Sequence, residues 1–186
     1  MSHNNRFAST PDRSGLVLWF TGLSGAGKST IAEIVGRALE AEGRLVDYLD
    51  GDVVRTHLSK GLGFSKEDRD TNIERIGWVA SRLARHGATV IVSAISPYAS
   101  ARARARELVE EFAPFVEVHV ATSVDECARR DVKGLYEKAF AGELEEFTGV
   151  SDPYEEPEGP ELRLDTEGRT PEECAREVLD RVLVRV

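Results

Sequence analysis

Short apolar runs alternate along the chain with segments in which apolar residues recur every three or four positions. The runs predict buried strands over 16–21, 45–49, 89–94 and 115–121, with a short fifth strand over 162–165. The periodic segments predict helices over 28–42, 66–86, 99–112, 124–131 and 171–183. Such alternation is typical of a parallel sheet covered by helices on both faces. We therefore predict an α/β fold that binds ligands where the carboxyl ends of the strands meet.

Residues 133–160 break this alternation. The segment is rich in Glu, Gly and Pro, and its apolar residues show weak periodicity. A loop of this length within a compact domain is more often a functional lid than a plain surface connection. We predict a flexible lead-in over residues 1–15 and one domain over residues 16–186, in which a mobile lid spans residues 132–160.

Composition narrows the range of partners. The 186-residue chain is 41% hydrophobic and 31% charged, with a formal net charge of −9. This balance argues against nucleic acid or a membrane surface as a partner, because both require a basic face. Residues 1–15 lack the apolar core of a signal peptide, and no apolar run approaches the roughly 18 residues of a membrane span. Cys127 and Cys174 lack metal-type spacing, which predicts reduced thiols in a cytoplasmic protein.

Residues 22–29 read GLSGAGKS and satisfy the pattern G-x-x-x-x-G-K-[ST] of a phosphate-binding loop (P-loop). A predicted strand precedes the loop and an amphipathic helix follows it, which is the context that the pattern requires. The glycines let successive backbone N–H groups point at phosphate oxygens, and the helix N-terminus adds a favourable dipole. We expect Lys28 to reach the β and γ phosphates of ATP and Ser29 to place its hydroxyl on Mg²⁺. The predicted nucleotide-binding residues here are Gly22, Leu23, Ser24, Gly25, Ala26, Gly27, Lys28, Ser29 and Thr30.

The second predicted strand runs into Asp50-Gly51-Asp52. One of these carboxylates can hold Mg²⁺ through water, and the other can accept the proton of an acceptor hydroxyl. Either can also cap the helix that we expect to begin near Val53. The third strand ends without the acidic residue expected of a motor-type ATPase, and no guanine-reading motif is present. These features favour a small-molecule kinase.

A basic and polar set follows, with Arg55 ahead of Arg69, Asn72 and Arg75, and the last three lie at helical spacing. With Phe64, they indicate a site that grips an anion and stacks on an aromatic ring, because the planar fork of arginine suits phosphate and sulfate. A solvated helix face paired with neighbouring aspartates is the alternative.

Several further segments are more specific than the P-loop alone. They are WFTGLSGAGKST (19–30), LDGDVVR (49–55), LGFSKEDRDTNIER (62–75), AISPY (94–98), RDVKGLYEKA (130–139), FTGVSDPYEEP (147–157) and PEL (160–162). Taken in this order, they resemble the adenylyl-sulfate (APS) kinases from about residue 16 to the C-terminus. The resemblance implies transfer of the γ-phosphate of MgATP to the 3′-hydroxyl of APS, giving 3′-phosphoadenosine 5′-phosphosulfate (PAPS) and ADP. It also implies a P-loop kinase fold with a mobile lid, a homodimer and a possible ATP sulfurylase partner.

The resemblance also implies roles for individual residues. Asp52 is the implied base, Asp50 lies near Mg²⁺, and Lys133 comes from the lid to neutralise charge on the transferring phosphoryl group. Ser96 is implied in the substrate pocket and, second, as a phosphorylated serine among the catalytic residues, while Arg130 packs near the ATP adenine. The implied APS-binding residues are Asp52, Arg55, Phe64, Arg69, Asn72, Ile95, Ser96, Lys133 and Phe147.

The chain departs from the family pattern at a few positions. Ala99 replaces a usual arginine, for which we expect Arg102 to compensate, and Glu74 reverses a charge beside the expected anion site. Val132 changes the lid sequence. Because of these departures, one alternative function is a kinase that phosphorylates a different nucleotide-like acceptor. A non-catalytic nucleotide-sensing module is a further alternative, although Lys28 and the other expected catalytic residues are intact.

Overall fold

A computed structural model describes residues 15–183 and contains one five-stranded sheet in which all strand pairs are parallel. The predicted lead-in lies outside the described residues, apart from Gly15. The strands, in the spatial order β2-β3-β1-β4-β5, are β1 Leu16–Thr21, β2 Val46–Asp50, β3 Thr89–Ser93, β4 Phe115–Val120 and β5 Leu162–Leu164. The helices are α1 Lys28–Ala41, α2 Gly51–His57, α3 Lys66–Arg85, α4 Ala99–Glu110, α5 Val124–Arg130, α6 Leu135–Phe140 and α7 Pro171–Leu183. The α/β prediction is confirmed, and the five predicted strands end within one or two residues of the observed ones.

The sheet separates two apolar layers. Successive side chains of a strand point to opposite faces, so Leu18 and Phe20 of β1 pack with α1 and α7, while Val17 and Trp19 pack with α3 and α4. Every residue of β1 is buried. A central strand covered on both faces has no polar side, and this explains why the pattern LVLWFT shows no alternation.

The strand order brings three chain segments to one edge of the sheet. β1 lies between β3 and β4, so the loop that follows β1 leaves the middle of the sheet. In the parallel register, Ser93 at the end of β3 is the Cα partner of Asp50 on β2 and of Phe20 on β1. The carboxyl ends of β1, β2 and β3 therefore meet, and the candidate site lies there.

Residues 131–160, which we call the roof segment, contain one helix that the sequence pattern did not predict. Helix α6 begins after Gly134, whose φ of 63° is left-handed, and the Asp131 carboxylate accepts hydrogen bonds from the backbone N–H groups of Leu135, Tyr136 and Glu137. A helix of six residues is too short to show an amphipathic period. Asp131 and Gly134 thus start a helix inside a segment that reads as a loop.

The later part of the roof segment is anchored to the sheet by buried charges. Arg102 of α4 pairs with Glu117 of β4, with 2.9 Å between Nε and Oε1, and donates to the carbonyl oxygen of Glu155 at 2.7 Å. Arg106 pairs with Glu161 at 2.8 Å. Because Arg102 is almost fully buried, these bonds are little screened by solvent. They fix the path of the chain as it returns to β5.

Within 15–183, no helix is both long and apolar enough to cross a membrane. Cys127 and Cys174 are both buried and unbridged, which agrees with the prediction of reduced thiols.

Candidate active site

A cavity of about 540 Å³ opens where the carboxyl ends of β1, β2 and β3 meet. Its floor is the P-loop, and its sides are the turn between β2 and α2, the start of α3 and the loop after β3. The roof segment covers it with residues 131–136 and 144–148. The predicted lid thus lies over the cavity, while its mobility stays a prediction.

The backbone of the P-loop explains its glycines. Gly22, Gly25 and Gly27 have φ values of 144°, 74° and 104°, which L side chains rarely adopt. A Cβ atom at Gly22 would also lie 2.5 Å from the Val120 carbonyl oxygen. Leu23 and Ala26 turn their side chains into the core. Gly27 offers no side-chain cap to α1, so the first N–H groups of this helix are left to bind an anion.

Lys28 is folded back onto the loop that it serves. Its ammonium group donates to the Leu23 carbonyl oxygen at 2.7 Å, and the residue is 8% exposed. Burial lowers the pKa of Lys28 to about 8, partly offset by attraction to Cys127 and Asp50. A bound phosphate would supply the opposite charge that this buried ammonium group lacks, so the site is suited to an anion.

Three oxygen-bearing side chains converge beside the P-loop. The Ser29 hydroxyl donates to Asp50 Oδ2 at 2.8 Å and lies 3.0 Å from the Ser93 hydroxyl. Asp50 Oδ1 accepts from the backbone N–H of Asp52 and so also caps α2. Hydroxyl and carboxylate oxygens are ligands that Mg²⁺ prefers, so the residues fit this ion. Sequence reasoning missed Ser93, although its position at the end of a central strand was a usable signal.

Asp52 and Lys133 form an ion pair across the mouth of the cavity. Asp52 lies in the first turn of α2, and Lys133 belongs to the roof segment. Both side chains are more than half exposed. Two of the residues expected to act in catalysis are therefore brought together from positions 81 residues apart.

An aromatic and guanidinium cluster forms the far side of the cavity. The guanidinium carbon of Arg55 lies 4.4 Å from the centroid of the Phe64 ring, and that of Arg69 lies 5.6 Å from it. Phe64 is 56% exposed although it lines the cavity, whereas Phe147 packs edge-on against Tyr136 at 5.0 Å. The Tyr136 hydroxyl donates to the Ser24 carbonyl oxygen, which joins this cluster to the P-loop. Tyr136 was not predicted.

Arg69 links the start of α3 to the roof segment. It is 7% exposed and donates to the Phe64 carbonyl oxygen at 2.6 Å, to the Thr148 hydroxyl at 2.8 Å and to the Glu146 carbonyl oxygen. The Asp152 carboxylate lies 3.6 Å away. Arg69 thus lines the cavity as expected, but its N–H groups form hydrogen bonds with other groups of the protein.

Asn72 and the loop after β3 complete the wall. Asn72 lines the cavity and is 5% exposed, and within residues 15–183 its Oδ1 atom has no hydrogen-bond partner. Ile95 and Ser96 also line the cavity. The Ser96 hydroxyl accepts from Trp19 Nε1 at 3.1 Å and is buried, and its φ of 43° is unusual for serine. The hydrogen bond from Trp19 to Ser96 therefore fixes the conformation of the loop after β3.

The remaining predicted residues, Thr30 and Arg130, lie on different sides of the P-loop. Thr30 lines the cavity beside Ser29. Arg130 lies behind the loop, where it pairs with Glu126 at 2.8 Å and reaches the Ala26 carbonyl oxygen at 3.4 Å. The Arg130 position is compatible with a role at the nucleotide end of the site.

Three sequence expectations about charge placement are wrong. Glu74 does not lie beside the anion site but pairs with Arg104 of α4 at 3.3 Å on the exposed surface. Arg75 points away from the cavity and donates to the Leu58 carbonyl oxygen at 3.3 Å. Arg102 does not replace a cavity arginine at position 99, because its donors hold the Ser96 and Glu155 carbonyl oxygens from behind the wall.

Comparison with known proteins gives consistent matches. A family model described as adenylylsulphate kinase matches residues 14–165. An adenylyl-sulfate kinase of Chloroflexus aurantiacus is 56% identical over 90% of this chain and 88% of its own length. A probable bifunctional SAT/APS kinase 2 of Sorangium cellulosum is 55% identical over 89% of this chain but only 28% of its own length. The Mycobacterium tuberculosis APS kinase CysC, solved with AMPPNP and APS, superposes with a TM-score of 0.88 at 46% identity, covering 91% of this chain and 98% of its own.

Proposed function

The chain belongs to the adenylylsulphate kinase family, and from this premise we propose that it transfers the γ-phosphate of MgATP to the 3′-hydroxyl of APS. The products are PAPS and ADP. The relative with the TM-score of 0.88 was solved with an ATP analogue and APS bound together. Two ligands in one relative agree with the cavity above the P-loop, which has two chemically different ends.

The observation that carries the proposal is the pairing of those two ends. At one end, the P-loop, Lys28 and Ser29 suit the phosphates and metal of a nucleotide. At the other end, Phe64 stands over two guanidinium groups, and the Asn72 Oδ1 atom needs a donor. An adenine ring offers a flat face and an amino group, and a phosphosulfate is an anion. An acceptor of APS chemistry therefore satisfies both the aromatic and the polar groups.

We propose that Asp52 accepts the proton of the acceptor hydroxyl. Asp52 lies at the boundary between the two ends and is exposed to the cavity mouth. Phosphoryl transfer requires positioning and charge stabilisation more than covalent chemistry. Lys28 and the P-loop N–H groups hold the donor phosphates, and Mg²⁺ supplies positive charge when it is bound.

Lys133 has two partners in this proposal. It pairs with Asp52 in the structure, and during transfer it neutralises charge on the moving phosphoryl group. The exchange frees Asp52 to act as a base when both ligands are present. A mobile roof segment then excludes water from the closed site and limits wasteful hydrolysis of ATP.

Ser96 acts in this proposal through its position in the wall. Its hydroxyl is buried and bonded to Trp19, which does not favour attack on a phosphate. Together with Ile95, it shapes the acceptor end. Direct transfer to the acceptor needs no phosphorylated serine.

The remaining expectations concern Arg130, the cellular location of the protein and its partners. Arg130 lies behind the loop on the proposed adenine side, as its contact with the Ala26 carbonyl oxygen supports. We propose that the protein works in the cytoplasm as a homodimer, and that an ATP sulfurylase supplies its APS. The match to a bifunctional SAT/APS kinase supports a link to that second activity.

A coupled assay of ADP release with a panel of acceptors tests the proposal. MgATP is offered with APS, AMP, adenosine or no acceptor. We expect rapid ADP release with APS and slow release in the other three reactions, because only APS carries both the ring and the phosphosulfate. Equal rates in all four reactions would refute the assignment of the acceptor.

A further inference from the structure

The hydroxyl of Ser93 belongs to an oriented chain of hydrogen bonds that the proposed function does not yet use. Ser29 has one hydroxyl proton, which it donates to Asp50 Oδ2 at 2.8 Å. The 3.0 Å contact between Ser29 and Ser93 must therefore use the Ser93 proton. The direction of the chain is Ser93 to Ser29 to Asp50.

This direction leaves one lone pair on the Ser29 oxygen. A serine oxygen has two lone pairs, and the Ser93 proton occupies one of them. The Ser29 proton is held by Asp50. The remaining lone pair is free for a metal, so Ser93 and Asp50 together fix the orientation of the hydroxyl that the P-loop motif assigns to Mg²⁺.

Ser93, Ser29 and Asp50 together carry little negative charge. Mg²⁺ gives up its water reluctantly and is commonly held by one or two carboxylates together with substrate phosphates. Here the trio contributes one carboxylate and two hydroxyl groups. Among residues 15–183, no group of three or more His, Cys, Asp or Glu side chains could hold a metal. The end of β3, where a motor-type ATPase would carry an acidic residue, carries Ser93 instead.

We propose that Ser93 is a metal-positioning residue whose hydroxyl orients Ser29, and that the lack of charge at position 93 makes the site bind a divalent cation only together with nucleotide phosphates. The proposal rests on the ATP-binding half of the proposed function and not on the identity of the acceptor. A carboxylate at position 93 would add a second negative charge beside Asp50. The serine therefore keeps the site from retaining a free ion in the absence of ATP.

Binding of Mn²⁺, followed by electron paramagnetic resonance, tests the proposal without turnover. The wild type is compared with Ser93→Ala and Ser93→Asp, first without nucleotide and then with AMPPNP. We expect no binding of free Mn²⁺ by the wild type below millimolar concentrations, and binding by Ser93→Asp. With AMPPNP present, we expect Ser93→Ala to weaken Mn²⁺ binding by about 10-fold, which is the usual effect of removing an outer-shell partner.

A matched control separates this role from folding. Ser81 is another buried serine, bonded to the Trp78 carbonyl oxygen in α3, and it does not line the cavity. Ser81→Ala should leave the Mn²⁺ affinity in the presence of AMPPNP unchanged, and thermal melting shows whether each variant folds. Unchanged Mn²⁺ affinity in a folded Ser93→Ala, or tight binding of free Mn²⁺ by the wild type, would overturn the proposal. Failure of AMPPNP to bind any variant would instead count against the proposed function.

Discussion

The P-loop and the roof segment enclose one cavity but are built in different ways. The P-loop is shaped by glycine backbone and by a contact as local as that between Lys28 and Leu23, five residues apart. The roof segment is held by side chains from distant parts of the chain, since Arg69 reaches Thr148 across 79 residues and Lys133 reaches Asp52 across 81. The backbone of the P-loop is thus set by a local motif, whereas the acceptor end is a product of the tertiary fold. Changes on the acceptor side should alter the choice and use of acceptor while ATP binding persists.

Asp52→Asn should have the largest effect, because it removes the proposed base at the boundary of the two ends. We expect kcat to fall by about 10²- to 10⁴-fold, the usual contribution of general base catalysis. The Kd for MgATP, measured by calorimetry, should change little. Asp47→Asn, an exposed position on β2, the strand that precedes α2, is the control and should keep its activity. Wild-type kcat in a folded Asp52→Asn would remove Asp52 from the chemistry.

Arg69→Lys should separate the acceptor end from the nucleotide end. Lysine keeps the charge but cannot reach Phe64, Thr148 and Glu146 with one planar fork. Because buried acceptors lose their donors, we expect the free energy of unfolding to fall by about 1–3 kcal/mol. The KM for APS should rise, and proteases should cleave the roof segment faster.

Arg75→Lys is the matched control for this change, since Arg75 lies on the same helix and makes one long contact with the Leu58 carbonyl oxygen. It should leave both stability and the KM for APS unchanged. A parallel loss of MgATP affinity in Arg69→Lys would contradict the independence of the two ends.

Phe64→Ala removes the exposed ring at the acceptor end. Stacking of a base on an aromatic side chain contributes about 1–3 kcal/mol, so the KM for APS should rise by roughly 5- to 150-fold. Phe140→Ala is a fair control, because Phe140 is similarly exposed at 61% but does not line the cavity. If the two variants showed the same KM for APS, Phe64 would have no part in acceptor binding.

His119 should make stability depend on pH beneath the roof segment. Its ring packs 5.8 Å from the Tyr154 ring, and burial lowers its pKa, with Arg163 and Arg102 acting in the same direction against Glu156 and Asp165. The unfolded chain takes up a proton near the ordinary pKa of about 6.5, so stability is complete above that pH. It declines as the pH falls towards the lowered pKa of the folded state.

Melting temperatures of wild type and His119→Gln between pH 8 and pH 5 measure this effect. We expect the wild type to lose more stability than the variant below pH 6.5, by at most about 1.4 kcal/mol per pH unit. His86→Gln, an exposed position at the end of α3, should follow the wild type. Identical pH profiles for all three proteins would show that His119 does not titrate differently on folding.

Glu74→Arg should have the smallest effect, although the sequence gives this position as a departure from the family pattern. Glu74 faces Arg104 on the surface, and changes at such positions stay within about 0.5 kcal/mol. The KM for APS, measured at two salt concentrations, should remain within about twofold of wild type. A large decrease in that KM would return Glu74 to the acceptor site.

The sequence predicts the P-loop end well, and the reason is physical. A local motif with a strand before it and a helix after it has few possible geometries, and all of its glycines were identified. The strand pattern also predicts the fold, because a fully buried strand such as β1 cannot be polar on either face.

The acceptor end is predicted less well because helical spacing does not fix which face is buried. Steps of about 100° per residue rotate Arg75 by about 120° from Arg69. Arg75 therefore leaves the face that Arg69 shares with Ile73 and Ile76. Ser93 was missed because its role depends on the strand register beside Asp50. Tyr136 was missed because its short helix has no sequence period.

The position of the transferred phosphate tests the central claim most directly. The wild type is incubated with MgATP and APS, and the products are identified by mass spectrometry and by phosphorus-coupled NMR of the ribose. The account predicts one PAPS for each ADP, with the new phosphate on the 3′-hydroxyl. ADP without PAPS, or a phosphate attached elsewhere on the nucleotide, would contradict it.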